Sequence, residues 1–169
     1  VTNIYSPGTN IQHSIKSDSN NLVSIFLEVN NDMKNHQEIM CVGVSSIDLS
    51  TGENVVFETY SNIEDKNLAL DEIFRFIQIH DPKEVIFNIK KCSMNDRELL
   101  SYLDLNSRVC HIYRDEKIEK SILNKNYQNQ FLDKIFPKTG LLSVIEYLDL
   151  ELKHFGLLSY IALLNFAYE

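Results

Sequence analysis

Little in this sequence offers a staple, a phosphate cradle or a membrane span. Its three cysteines, Cys41, Cys92 and Cys110, lie far apart and form no C-x-x-C, so a disulfide framework has no basis. The thiols read as reduced, mostly buried and intracellular. There are only five glycines and no G-x-x-x-x-G-K-[ST] or G-x-G-x-x-G, which excludes the usual nucleotide loops. G-x-S-x-G and H-E-x-x-H are also missing. Positive charge is scarce: 16 Lys+Arg stand against 24 Asp+Glu, a formal net charge of -8. Such a surface repels phosphate and argues against a stand-alone nucleic-acid binder. No apolar run approaches the roughly 18 residues a membrane helix needs. No basic-then-apolar leader opens the chain. The first residue is Val1 rather than Met, which suggests a piece of a longer protein. The chain is rich in apolar material: 44% of 169 residues, enough for the core of one domain. Asn, Ile and Lys are used heavily even in strands, a coding bias that hints at an A+T-rich genome.

The pattern along the chain begins with a short extended piece, Val1–Tyr5, broken by the turn residues Ser6, Pro7, Gly8 and Thr9. Leu22–Val29 and Ile39–Leu49 read as core strands. The polar stretch from Asn30 to Glu38 between them predicts a long, mobile hairpin loop. Gly43 inside the second strand predicts a bulge or a close backbone approach. Ser50, Thr51 and Gly52 form a tight turn into a third strand, Asn54–Tyr60, apolar on both faces.

The period then turns helical from Glu64 to Ile79, with Asn62 as candidate N-cap and Asp81-Pro82 as the stop. Glu84–Ile89 is a strand, Ser93 opens a helix through Leu103, and Val109–Tyr113 is the last strand. Glu116–Leu123 and Gln128–Phe136 read as helices, and Pro137 and Gly140 punctuate the chain after them. Leu141–Leu150 and Glu151–Tyr168 form an apolar helical tail. Short turns predict an antiparallel meander, and the helical crossover predicts that the fourth strand is parallel to a neighbour. The fold class is therefore α/β: a mixed five-stranded sheet flanked by helices, with a C-terminal helical extension.

Ribonuclease-H-like nucleases share a sheet of this order, and they need several carboxylates around two metal ions, starting with an Asp in the middle of the first core strand. Leu22–Val29 offers only Glu28, near its end, and Asp48 sits where turn-capping suffices. The five histidines show no ligand spacing, and the neighbours Cys110 and His111 must face opposite ways on a strand. Lys83, Lys90 and Lys91 read as a solvated, guarded sheet edge sooner than a basic patch. The tail holds more apolar residues than one face can bury, which predicts an exposed surface covered by further protein or by a second copy.

The segment Ile4-Tyr5-Ser6-Pro7-Gly8-Thr9 resembles the I-V-T-P-G-T by which MutS mismatch-repair proteins enter their second domain. Val42 to Glu53 resembles that family's G-(I/L)-A-x-x-D-x-S-T-G-E strand and turn, with Ser45 in place of the usual Ala. Pro82-Lys83-Glu84-Val85-Ile86 is similar to its P-x-E-(I/L)-(I/L) segment, and Leu158–Glu169 resembles the first helix of the lever region. The tail is most similar to the branch of giant DNA viruses and soft-coral mitochondria, which implies an intracellular viral or mitochondrial setting.

This resemblance implies residues 1–9 as a linker from a preceding domain, 10–136 as a non-catalytic connector with a ribonuclease-H-like fold, and 137–169 as the helical start of the lever region. It implies a dimeric parent that senses mispaired DNA and hydrolyses ATP with Mg, with neither cofactor held by this segment. Partners would be the flanking domains and, in bacterial members, a MutL-type protein docking on polar residues that match Gln128, Asn129 and Gln130. A connector of this kind moves as a rigid body, so hinges are expected at Ser6–Thr9 and at Pro137 and Gly140. The bare residues leave two rivals open: a metal-dependent nuclease with an unusual carboxylate set including Asp48, and a scaffold self-associating through residues 141–169.

Overall fold

A computed structural model describes residues 20–34, 36–136, 150 and 153–168. The strands are β1 (Asn21–Asp32), β2 (Gln37–Asp48), β3 (Asn54–Tyr60), β4 (Glu84–Lys90) and β5 (Val109–Arg114). The helices are α1 (Leu68–His80), α2 (Asp96–Tyr102), α3 (Lys125–Ile135) and α4 (His154–Ala167). Two short 3-10 turns, Asp115–Lys117 and Lys120–Leu123, join β5 to α3. The sheet order is β3-β2-β1-β4-β5, with β1, β2 and β3 antiparallel and β4 and β5 parallel to β1. This is the mixed five-stranded sheet, an antiparallel meander followed by parallel strands, that the sequence pattern predicts.

Alternation sorts each strand onto two faces. Val23, Ile25 and Leu27 of β1 pack with Val42 and Val44 of β2 beneath α1 and α2. Leu22 and Phe26 point the other way, into a core shared with α3 and α4. Helix α1 buries Ala69, Leu70, Ile73, Phe76 and Ile77 on one stripe and ends at Asp81, whose left-handed φ of 43° precedes Pro82.

Several expectations change. The long hairpin loop is absent: β1 and β2 pair one-to-one as far as Asp32↔Gln37, which leaves a short turn at its tip. Backbone pairing needs no apolar side chains, so Asn30 and Asn31 join the ladder. The unbroken register also removes the bulge at Gly43. Asn62 does not cap α1; its Oδ1 accepts from the Asp65 N–H in a separate turn, and the helix starts after Asn67. Asn95 rather than Ser93 caps α2, accepting from the Glu98 N–H at 2.8 Å while its own amide donates to the Glu98 carboxylate. The segment Glu116–Leu123 holds the two 3-10 turns rather than one helix.

The largest change concerns the apolar tail. Every residue of α4 from Gly156 to Leu164 is buried. One side lies on β1, β2 and β3, and the other is closed by Ile118, Ile122, Leu132 and Leu150. A helix apolar on all sides becomes a core helix once a second layer covers it. Within the described residues, the tail supplies no exposed apolar face for a second copy. Residues 1–19 and 137–149, with the hinge candidates Ser6, Pro7, Gly8, Thr9, Pro137 and Gly140, lie outside the described set.

Candidate functional site

The face under α4 is the one to which Leu22 and Phe26 of β1 turn. Midway along β1 that face presents Phe26, and its neighbour across the parallel pair is Asn88. The two carboxylates singled out from sequence are far apart. Asp48 pairs with Asn21 at one end of β1, while Glu28 sits near the other, roughly 23 Å away at ~3.3 Å per residue. Asp48 caps its turn, accepting from Ser50 N at 2.8 Å, and Glu28 faces the Lys90 ammonium at 3.6 Å. Among the described residues no group of three or more His, Cys, Asp or Glu could hold a metal. A cavity of about 150 Å³ lies between β4, β5 and α4, and its wall carries the Glu119 carboxylate beside Asn88, Tyr113, Lys117 and Asn165. Among the described residues, Asp48 and Glu28 do not meet at one point on the sheet, as a two-metal site would require of them.

What the face does hold is a helix at close quarters. A Cβ built on Gly43 would stand 1.9 Å from the Phe155 carbonyl oxygen, so only glycine admits α4 here. Ser24 and Ser45 are neighbours across β1 and β2 and are fully buried, and their hydroxyls find no hydrogen-bond partner. The small side chain at position 45 fits the passage of the helix. The first turn of α4 lacks a side-chain cap of its own. Glu58 on β3 supplies one, its Oε1 accepting from the Gly156 N–H at 2.9 Å. Tyr60 donates to Glu58 Oε2 at 2.5 Å, and this bond pushes the phenol up to about 12. Tyr160 donates to Asn54 Oδ1 at 3.2 Å and Tyr127 to Asn165 Oδ1 at 2.7 Å, tying α4 to β3 and α3. Burial pushes the Tyr160 phenol up to about 12 as well. Sequence reading marks Gly43 but misses Glu58, whose partner lies 98 positions away.

The three polar residues expected to face a partner divide. Gln128 turns inward, 5% exposed, and its Nε2 donates to the Ile122 carbonyl at 2.7 Å. Asn129 is half-buried and Gln130 exposed. The turn residues Ser50, Thr51 and Gly52 are placed as expected, with Gly52 at φ 78°. Lys83 and Lys90 sit at opposite ends of β4 and form no common patch. Burial pushes the Cys41 and Cys110 thiols up, which makes them poor nucleophiles.

Solved structures of similar outline include T. thermophilus RuvC in complex with a Holliday junction substrate. It is 9% identical, with a TM-score of 0.45 over 88% of this chain and 94% of that chain. The fowlpox virus Holliday junction resolvase is 10% identical, with a TM-score of 0.39 over 88% and 96%. Those likenesses say nothing of activity. A relative in Acanthamoeba polyphaga mimivirus, described as a putative DNA mismatch repair protein mutS homolog, is 28% identical over 185 aligned residues. The alignment takes in 98% of this chain and only 16% of the relative. The family model for MutS domain II matches residues 20–166, from β1 to the last turn of α4. On that match, which takes in well over half of its length, the chain belongs to the MutS domain II family.

Proposed function

We propose that this chain works as the connector of a longer MutS-type protein, passing conformational change between a mismatch-reading part and an ATPase part. The carrying observation is the lock between α4 and the sheet: Gly43 beneath the helix, Glu58 at its N-terminus, and a core common to α3, α4 and β1. A body so tied transmits displacement rather than absorbing it, because packed cores do not deform continuously. ATP, Mg, mismatched DNA and a dimeric state belong, on this reading, to the parent. Movement enters at Ser6–Thr9. Pro137 and Gly140 join α3 to α4, two helices held in one core, so a hinge there would work within the connector. A MutL-type partner would meet Asn129 and Gln130 on α3, with Gln128 supporting them from below.

The test uses the intact parent carrying Gly43→Leu, which forces α4 off the sheet. The expected result is ATP hydrolysis that persists but no longer alters affinity for mismatched DNA. Unchanged coupling in a variant that remains folded refutes the proposal.

A further inference from the structure

The sheet order leaves β3 as an edge, and among the described residues no strand pairs with its outer side. Its hydrogen-bonding phase is fixed at both ends. Asp48 N donates to the Glu53 carbonyl and Ser61 N to the Met40 carbonyl, each at 2.9 Å. Hydrogen-bonded pairs alternate in an antiparallel ladder. Val55, Phe57 and Thr59 therefore direct their backbone groups to β2, and Asn54, Val56, Glu58 and Tyr60 direct theirs outward. Natural edges are blunted by Lys, Pro or a bulge. The sequence N-V-V-F-E-T-Y has none of these, and its one charge, Glu58, is turned to the Gly156 N–H. The opposite edge, β5, differs: it is bounded by Arg108 and Arg114, and Arg114 reaches Asp96 and the Met94 carbonyl.

The surroundings say which strand would fit. Between Lys34 and Lys66 there is neither Lys nor Arg, while six acidic residues fall in that stretch. Glu53, Glu64 and Asp65 are exposed, close to the two ends of β3. A second copy would bring Glu53, Glu64 and Asp65 against the same three acids, with exposed Lys66 beside Asp65 offsetting part of that charge, so self-pairing is disfavoured by charge. We propose that the outer edge of β3 accepts an extended basic segment of a different protein by strand addition. Its backbone would bond the outward groups of Val56 and Glu58, and its Lys or Arg side chains would meet Glu53, Glu64 and Asp65.

The probe is a nine-residue peptide alternating Lys and Val, titrated into the whole 169-residue chain and followed by anisotropy and amide shifts. Binding should perturb amides of residues 54, 56, 58 and 60, weaken with salt, and fall at least about tenfold when the peptide backbone is N-methylated. Glu53→Lys, on an exposed turn, should weaken it too. Val56→Pro removes an outward donor without touching the β2 ladder; if it fails to fold, the N-methylated peptide reads the same point. Equal binding of a Glu/Val peptide or of the N-methylated peptide overturns the proposal. So does a concentration-dependent dimer in light scattering whose formation shifts the β3 amides, since that assigns the edge to a second copy.

Discussion

Glu58 and Gly156 meet at 2.9 Å across 98 positions of sequence, a strand carboxylate closing the N-terminus of a helix that has no cap of its own. The orphan N–H groups and the helix dipole both favour a negative charge there. Glu58→Ala should therefore cost about 1–2 kcal/mol, seen as a lower denaturant midpoint with an unchanged slope. Glu58→Gln should lose less, since the amide oxygen still accepts. It should also bring the Tyr60 phenol down from about 12, which an alkaline absorbance titration would register. That phenol stands above its ordinary value of 10, so its contribution to stability is whole below pH 10 and fades as pH rises towards 12.

The trough beneath α4 gives a pair of opposite expectations. Gly43→Ala drives a methyl group into the backbone carbonyl of Phe155, which cannot swing aside as a side chain could, and should cost about 3 kcal/mol. Ser45→Ala removes a buried hydroxyl that has no partner and should stabilise by about 1 kcal/mol. Thermal melts of the two variants decide it; a destabilised Ser45→Ala would mean that the hydroxyl is bonded after all.

Acidification should weaken the fold through His80. Burial against Phe76, with ring centroids 4.0 Å apart, holds its imidazole below the ordinary 6.5. The unfolded chain then takes up the proton first. Stability is whole above pH 6.5 and falls as pH drops below it. Urea midpoints on either side of that value should separate in the unmodified chain. His80→Gln should narrow the gap, and an unchanged gap would shift the effect to other groups.

Much of this fold is legible in local signals. Alternation marks the strands, Asp81-Pro82 ends α1, Gly52 marks a turn that needs positive φ, and Gly43 points to a close approach. Local rivals blur the helix starts: Asn62 competes with Asn67 and Ser93 with Asn95, and only the chain path selects between them. The tail misleads for a different reason. Its composition shows that all sides are apolar, but the cover comes from Ile118, Ile122 and Leu132, whose positions depend on the 3-10 turns after β5. Glu58 is invisible in sequence because one acid on a strand looks like any solvated acid until α4 arrives beside it.

Gln128 shows the same limit and yields the sharpest separation between architecture and docking. Three adjacent polar residues on a helix look equivalent in sequence, yet their directions differ by about 100° each. Gln128 alone reaches the Ile122 carbonyl. Gln128→Ala would leave that acceptor buried and unpaired, and should cost about 1–3 kcal/mol. Gln130→Ala, on the exposed side, should stay within about 0.5 kcal/mol of the unmodified chain. A partner that docks on α3 should lose affinity with Gln130→Ala at unchanged stability, whereas any loss with Gln128→Ala should track its drop in melting temperature. Equal stability of the two variants would show that Gln128 is free to face a partner directly.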